Sequence, residues 1–563
     1  MSSSYIHVRD RALDQEPLSE SHVIVKSGGN ITYNVVQPQT QTSNTSLVYN
    51  LQNVGNRSGR LREILANPQG TINISGNFTG YTVANLAGKI GWKAWPLNRV
   101  VDSVSHSLAG TAIEVYNNAQ IIDWITKIKS TAKMVEAYDN MQQDICTTYD
   151  ALVGTNLNPI GSWFDVPQGE GVYRPRTVGI TGLVITGVAP NQTLSFNYNF
   201  WEPLITPYTV VTGADMQQQA IWNIGTESIT LNLVNQMRDM LALTDDLDAV
   251  ITAISVQPSS CNIFPQYITA RDLVISNDAV FQFPKFQVQN VSLGTVAPNT
   301  PVTATVSLNS NTMPSKFSLY ARAPYQTRTP NNPDQYLTLQ SLQVQLSNGS
   351  VVLVGANQRL LYNISRRNGI NQTWPVWSSQ NLGSVAGEVG GVPAVGAGSV
   401  FYCDPVFDLN CWELQGLTTA SEGEYSITFT ATFVNNTGVP LTNQICYLYA
   451  VNDALLIRQD KVFITKFLSV NANELRGAIS ANAANFVSML EYHRAQYANS
   501  FLSGGSLTSF FKKVHGHAKK AHAFYNAHKD TIHGLAGTAK DLYSSYKHGG
   551  ARHHMADVNM YYA

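Results

Sequence analysis

Apolar and polar residues alternate with a period of two through much of the chain from about residue 70 to about residue 450, and clusters of Asn, Gly, Pro, Ser and Thr punctuate the runs. Such alternation predicts strands with one face buried and the other in water. Clear runs are Ile72, Ile74 and Phe78; Val178, Ile180 and Val184; Leu194, Phe196, Tyr198 and Phe200; and Ile229, Leu231 and Leu233. Val302, Ala304, Val306 and Leu308 continue the pattern. Leu337 and Leu339 then fall out of phase with Leu342, Val344 and Leu346, a slip that predicts a β-bulge. Tyr425, Ile427, Phe429 and Phe433 form the last clear strand. No strand-helix-strand rhythm calls for a parallel sheet, so the expected class is all-β, in antiparallel sandwiches.

Two stretches break the alternation. Between Asn118 and Ile145, the apolar residues Ile121, Ile122, Trp124, Ile125, Ile128, Val135, Tyr138 and Met141 fall largely at spacings of three and four, which predicts a packed helical insertion. Met237 to Ile254 is a second helical candidate, placed to bridge two halves of comparable size. The division expected from this is an N-terminal arm over 1–19, one sandwich over 20–258 and another over 259–470. A helix over 471–500 and a tail over 501–563 follow. Ser378 to Ser399, rich in Gly, Ala, Val and Ser with Glu388 as its one charge, reads as a long flexible surface loop.

Composition narrows the function classes. Only 13% of the 563 residues are charged and the net charge is −1, which argues against a disordered chain and against a uniformly basic nucleic-acid binder. The five cysteines, Cys146, Cys261, Cys403, Cys411 and Cys446, have neither disulfide-framework nor zinc spacing and read as buried thiols in a reducing compartment. Met1 to Glu20 lacks the apolar stretch of a signal peptide, and no apolar run is long enough for a spanning helix.

The catalytic search is mostly negative: no phosphate-binding loop, zincin, nucleophile-elbow, dinucleotide-binding or EF-hand motif occurs, and no cofactor or metal site is expected. Thr244-Asp245-Asp246-Leu247-Asp248 reads as a solvated helix end in preference to a cation site. Glu202, Asp404 and Glu413 are carboxylates from which a glycosidase pair could be drawn, at distances the sequence does not set. The expectation is that the chain is not an enzyme.

Charge and histidine concentrate at the C-terminus. From Phe501 onward eight basic residues face three acidic ones, a net +5 that leaves −6 for the rest, and eight of the twelve histidines lie there. Val514, Ala518, Ala521, Tyr525, His528, Ile532 and Leu535 step by four and three, so the tail predicts an amphipathic helix with a Lys/His-rich face. Phe510, Phe511, Val514, Phe524, Tyr525, Ile532 and Leu535 supply apolar surface, and Lys512, Lys513, Lys519 and Lys520 supply charge for a membrane or a packaged genome. His515, His517, His522, His528 and His533 would gain charge on acidification, making the tail a candidate pH sensor. A plain solvated basic tail is the competing reading.

Three segments together carry a family resemblance. They are Trp95-Pro96-Leu97-Asn98-Arg99-Val100-Val101-Asp102-Ser103-Val104; Trp201-Glu202-Pro203-Leu204-Ile205-Thr206-Pro207-Tyr208 followed by Ile221-Trp222-Asn223-Ile224; and Leu361-Tyr362-Asn363-Ile364-Ser365 with Asn368-Gly369-Ile370-Asn371-Gln372-Thr373-Trp374-Pro375 and the strand at Tyr425 to Val434. In order and spacing the chain resembles double-jelly-roll major capsid proteins of Polinton-like viruses, adintoviruses and virophages. The resemblance implies two tandem jelly rolls, a homotrimer forming a pseudo-hexagonal capsomer, contacts with neighbouring capsomers and with penton or minor capsid proteins, and a place in a virion assembled inside the host cell. Leu502-Ser503-Gly504-Gly505 before Ser506 is similar to the sites cut by adenovirus-type maturation proteases, which makes Gly505 and Ser506 a candidate cleavage point for a viral cysteine protease; a flexible linker reads equally well. The histidine-rich tail has no counterpart in the resemblance. Two other readings stay open: a single-jelly-roll RNA-virus capsid protein with a projecting domain, and a β-sandwich carbohydrate-binding or adhesive protein.

Overall fold

The computed structural model describes residues 30–467 except 40–45, 53–57, 87, 131–137, 154–159, 161–175, 207–219, 223, 235–236, 270–278, 348, 386–392, 410, 412–421 and 460–461. The alternation seen in the sequence becomes two antiparallel sandwiches. In the first, one sheet runs in the order Asn30–Tyr33, Ile251–Thr269, Ser58–Gly76, Asn191–Asn199, Ile180–Val188, with Glu202–Pro203 and Ala220–Trp222 also on Ser58–Gly76. The facing sheet runs Ser46–Gln52, Thr226–Leu233, Val101–Leu108, Thr111–Asn117. Ile72 and Ile74 of the long strand point into a core with Leu194, Phe196, Ile229, Leu231 and Trp92. On the wet face, Thr71 and Asn73 bond instead to Asn197 and Ser195, as period-two patterning requires.

The second sandwich repeats the wiring. One sheet runs Ala279–Val296, Leu441–Gln459, Lys316–Arg322, Phe401–Cys403, with Val462–Phe467 also on Leu441–Gln459. The other runs Pro301–Thr312, Glu422–Val434, Thr338–Gln345, Val351–Ala356. The phase slip expected near residue 340 is a register shift between Leu339 and Ser341, and it lets Leu337, Leu339, Leu342, Val344 and Leu346 all reach the core. In each sandwich the edge strand of the four-stranded sheet leads into a helix: Thr111–Asn117 into Asn118–Lys129, and Val351–Ala356 into Gln358–Arg367.

Four expectations are corrected. The helix that begins at Asn118 ends at Lys129, residues 131–137 lie outside the described residues, and Asn140 has φ +54°, a left-handed backbone no continuous helix to Ile145 accommodates, although Met141 and Ile145 are still buried. Met237 to Ile254 is not a helix: Met237–Met240 is one 3₁₀ turn, Leu241–Leu243 pairs with Ile90–Trp92, and Asp245–Asp248 makes a single turn before the strand begins at Ile251. The division at 258 falls inside the strand Ile251–Thr269, which pairs along its length with Ser58–Gly76 and absorbs Pro258 and Pro265 at register shifts. Within Ser378 to Ser399, the described residues are no free loop. Asn381–Val385 pairs with Pro393–Val395 and Leu152–Val153, while Ala394, Val395 and Ala397 are buried. Gly398, at φ +100°, lies so close to Tyr336 that a Cβ would stand 2.1 Å from its carbonyl oxygen, so only glycine closes this segment over the tyrosine.

Candidate assembly site

The helix Asn118–Lys129 belongs to the first sandwich by chain order, yet it packs on the outer face of the second. Residues on one strand alternate between faces, so Phe317, Leu319 and Ala321 point into the second core while Ser318, Tyr320 and Arg322 point out. Onto that outer face the helix lays Trp124. Its ring lies 5.5 Å from Phe286, 5.8 Å from Tyr402 and 6.3 Å from Tyr449, three residues from three different strands. Ile121, Ile122 and Ile125 complete the apolar contact and are buried. Apolar residues on nearly every side of this helix follow from its having a sandwich on either side.

Charges close the seam. Asp123, on the helix, accepts from Arg328 Nη1 at 2.9 Å and Nη2 at 2.7 Å, and from Arg322 Nη1 at 2.6 Å. In the opposite sense Asp334, from the second half, accepts from Arg99 at 3.2 Å, Lys127 at 2.9 Å and Arg322 at 3.1 Å. Both carboxylates are buried, at 2% and 1% exposure. Tyr336 lies between them: its hydroxyl donates to the Asp123 carbonyl at 3.0 Å, and its ring sits 4.8 Å from the Arg322 guanidinium and 5.3 Å from Lys127 Nζ. Burial would raise the Asp334 carboxyl, but Arg99, Lys127 and Arg322 outweigh it and hold the group well below the ordinary carboxylate range. Asp144 extends the network, accepting from the Asp334 backbone N–H and the Tyr149 hydroxyl, each at 2.8 Å, and pairing with Arg176. Lys93 reaches across to the Thr329 carbonyl at 2.8 Å while pairing with Asp239 at 2.6 Å.

Two of the segments singled out in the sequence are one structure. Pro96–Val100 is a single helical turn, and the buried Glu202 caps it by accepting from Leu97 N at 2.9 Å and Asn98 N at 3.0 Å. Asn98 returns the contact, donating to the Pro203 carbonyl at 2.9 Å and accepting from Ile205 N at 2.9 Å. Burial pushes the Glu202 carboxyl up to about 7, against its donors and the Arg99 guanidinium, which favour the charged form. This turn aims Arg99 at Asp334. The third segment supplies the helix Gln358–Arg367 and the half-buried ring of Trp374 beside it.

The candidate carboxylates are thereby given structural work. Glu202 is the cap just described. Asp404 caps the turn Pro405–Asp408 and pairs with Lys316, while Glu413 lies outside the described residues. Asp246 pairs with Lys89, and Asp245 accepts from Asn331. No group of His, Cys, Asp and Glu suited to a metal occurs among the described residues. All five cysteines are free and buried. Gly505, Ser506 and every residue named in the tail lie outside the described residues. Sequence reasoning missed Asp123, Arg322, Arg328 and Asp334; a charge inside an apolar helical stripe, as at Asp123, is the one signal from which any of them was recoverable.

The repeated sandwich and its charged seam can now be set beside known proteins. Residues 282–454 match the family described as major capsid protein V20 C-terminal domain. A chain of the Sputnik virophage particle, solved by cryo-EM, superposes with a TM-score of 0.67 at 18% identity, covering 84% of this chain and 96% of that one. This is a virophage-type double-jelly-roll capsid fold. The mavirus major capsid protein gives a TM-score of 0.65 at 16% identity, over 84% of this chain and 98% of its own. Comparison with curated proteins finds no match. In the double jelly roll, the Trp124 helix with its flanking carboxylate pairs joins one roll to the other, beside a second apolar contact in which Phe281, Phe283 and Leu456 of the second roll pack with Leu108, Ile113 and Ile221 of the first.

Proposed function

We propose that the chain is a major capsid protein: a non-catalytic building block of an icosahedral virion shell, assembled as a trimer whose six jelly rolls make a pseudo-hexagonal capsomer. The observation that carries this reading is the seam. Two sandwiches of the same wiring are locked side by side by a buried helix and a reciprocal set of ion pairs, which makes a rigid two-lobed tile. Cyclic symmetry then closes three such tiles into a ring. The match of residues 282–454 to a capsid family and the virophage-type fold support the same reading. Its partners are copies of itself, neighbouring capsomers, and penton or minor capsid proteins. Electron microscopy of the purified chain is the test. Hexagonal tiles or shells are expected, and isolated two-lobed monomers under all assembly conditions would overturn the reading.

The C-terminal segment adds a maturation step. A viral cysteine protease cuts between Gly505 and Ser506, and the released basic fragment binds anionic membrane more strongly as its histidines charge. Mass spectra of infectious particles are expected to show the fragment from Ser506 onward. Intact 61.6 kDa chains alone would contradict the cut. A peptide of residues 506–548 is expected to leak anionic liposomes more at pH 5.5 than at 7.5; tight, salt-dependent DNA binding without leakage would assign it to the genome instead.

A further inference from the structure

Trp201 opens one of the segments singled out in the sequence, yet the capping role of its neighbour Glu202 leaves the indole without a part in the seam. Asp139 holds its backbone: Trp201 N donates to Asp139 Oδ2 at 3.1 Å, and the Trp201 carbonyl accepts from Asp139 N at 3.2 Å. Cys261 and Ile263 face the first core, so Phe264 lies on the outer face of that sheet. The Trp201 ring packs 4.7 Å from Phe264 and stays 39% exposed. From there the sheet continues as residues 65–76 of Ser58–Gly76, flanked by Ile251–Thr269 on one side and by Asn191–Asn199, then Ile180–Val188, on the other. None of these stretches contains a charged residue. On the outer face Gln69, Thr71, Asn73 and Ser75 stand opposite Asn199, Asn197, Ser195 and Thr193, and Gln257 and Ser255 flank Thr71 and Asn73 from the other side. Asn197, Asn199, Ser255 and Gln257 are exposed and the others half-buried. The amides brace one another. Ser195 Oγ donates to Asn73 Oδ1 at 2.6 Å, Thr71 Oγ1 to Asn197 Oδ1 at 3.0 Å, Asn67 Nδ2 to Asn199 Oδ1 at 2.7 Å, and Gln69 Nε2 to Asn67 Oδ1 at 2.6 Å.

We propose that this face, with Trp201 at its end, binds an uncharged oligosaccharide. A pyranose ring makes two kinds of contact: the C–H groups of one side pack flat on an indole, and the hydroxyls at its edge each donate and accept a hydrogen bond. The face holds a counterpart for both. Trp201 is the exposed indole, and Asn73, Asn197 and Asn199, whose carbonyl oxygens are engaged within the face, keep their NH2 groups as donors beside the Thr71 and Ser195 hydroxyls. An anionic ligand, whether nucleic acid, acidic peptide or phosphorylated headgroup, finds no Lys or Arg on these strands to offset its charge. An apolar helix finds one indole among polar groups, too little apolar surface for a protein contact. The bracing sets the amides before a ligand arrives, so less side-chain freedom is lost on binding. The site is a property of a single chain and stands whether or not three chains assemble; repeated over a shell of many copies, it would hold a particle to a glycan-coated surface by avidity.

Saturation-transfer NMR on the full chain tests the site, with cellotetraose, chitotetraose and mannotetraose as neutral probes and a heparin tetrasaccharide as the anionic one. At least one neutral probe is expected to bind, and the heparin fragment is not. Trp201→Ala is expected to weaken the bound probe by roughly tenfold or more, and Trp201→Phe, which keeps a ring, by less. Asn197→Asp exchanges an exposed NH2 donor for a charge at nearly the same shape, and is expected to weaken the probe while leaving the thermal midpoint unchanged. No binding of any neutral probe up to roughly 10 mM would overturn the proposal. So would undiminished binding by both Trp201→Ala and Asn197→Asp, or tighter binding of the heparin fragment than of every neutral probe.

Discussion

Asp123 takes hydrogen bonds from two guanidiniums inside a buried seam, and this makes it costly to remove. Replacing it with Ala leaves Arg328 buried without its anion and Arg322 with Asp334 alone, so Asp123→Ala is expected to destabilise the chain by about 3–5 kcal/mol, read as a lower thermal midpoint. A loss under about 1 kcal/mol would show that water reaches the seam. Glu202 carries a pH signature of the opposite kind to Asp334. Its carboxyl in the folded chain lies near 7, above its ordinary value of 4.5, so its contribution is complete below about pH 4.5 and is lost as pH rises through about 7. Glu202→Gln, which cannot titrate and turns a donor toward Leu97 N, should therefore lower the midpoint more at pH 5 than at pH 8; equal losses would contradict the assignment. Glu202 and Asn98 were visible in the sequence because each sits in a short recognisable segment. Asp123, Arg322, Arg328 and Asp334 were not, since Asp123 stands 199 and 205 positions from Arg322 and Arg328, Asp334 stands 207 and 235 from Lys127 and Arg99, and ordinary surface charges read the same way along a chain.

Among elements, the strands were the most legible, because a half-buried strand writes its burial directly into the order of residues. The slip between Leu339 and Leu342 even marked the bulge. Helices were less so. Met237 to Ile254 has helical spacing, but Leu241 and Leu243 are buried in a strand, and the β-branched Ile251, Thr252 and Ile254 suit the sheet that takes them. Ser378 to Ser399 looked flexible because Gly and Ala dominate it, and small residues are also what a tightly packed crossing needs, as Gly398 against Tyr336 shows. The helix Asn118–Lys129 carries one of the contacts that join the rolls. Trp124→Ala removes an indole touching three strands of the second roll and is expected to cost about 3–5 kcal/mol by cavity formation, measured as a fall in thermal midpoint. An unchanged midpoint would mean that the rolls hold together without it.

At the scale of the whole molecule, the decisive property is repetition. The same strand order recurs in the two rolls, and each copy sends a helix out from the same edge. The sequence announced two sandwiches but hid their junction, since the strand that completes the first one, Ile251–Thr269, contains the prolines that resemble a boundary. The proposed function makes this two-roll unit the subunit of a trimer. The most direct test is the mass of the purified chain in solution by light scattering at neutral pH and micromolar concentration. The account predicts a particle of three chains of 61.6 kDa each, and a stable single chain of that mass would contradict it.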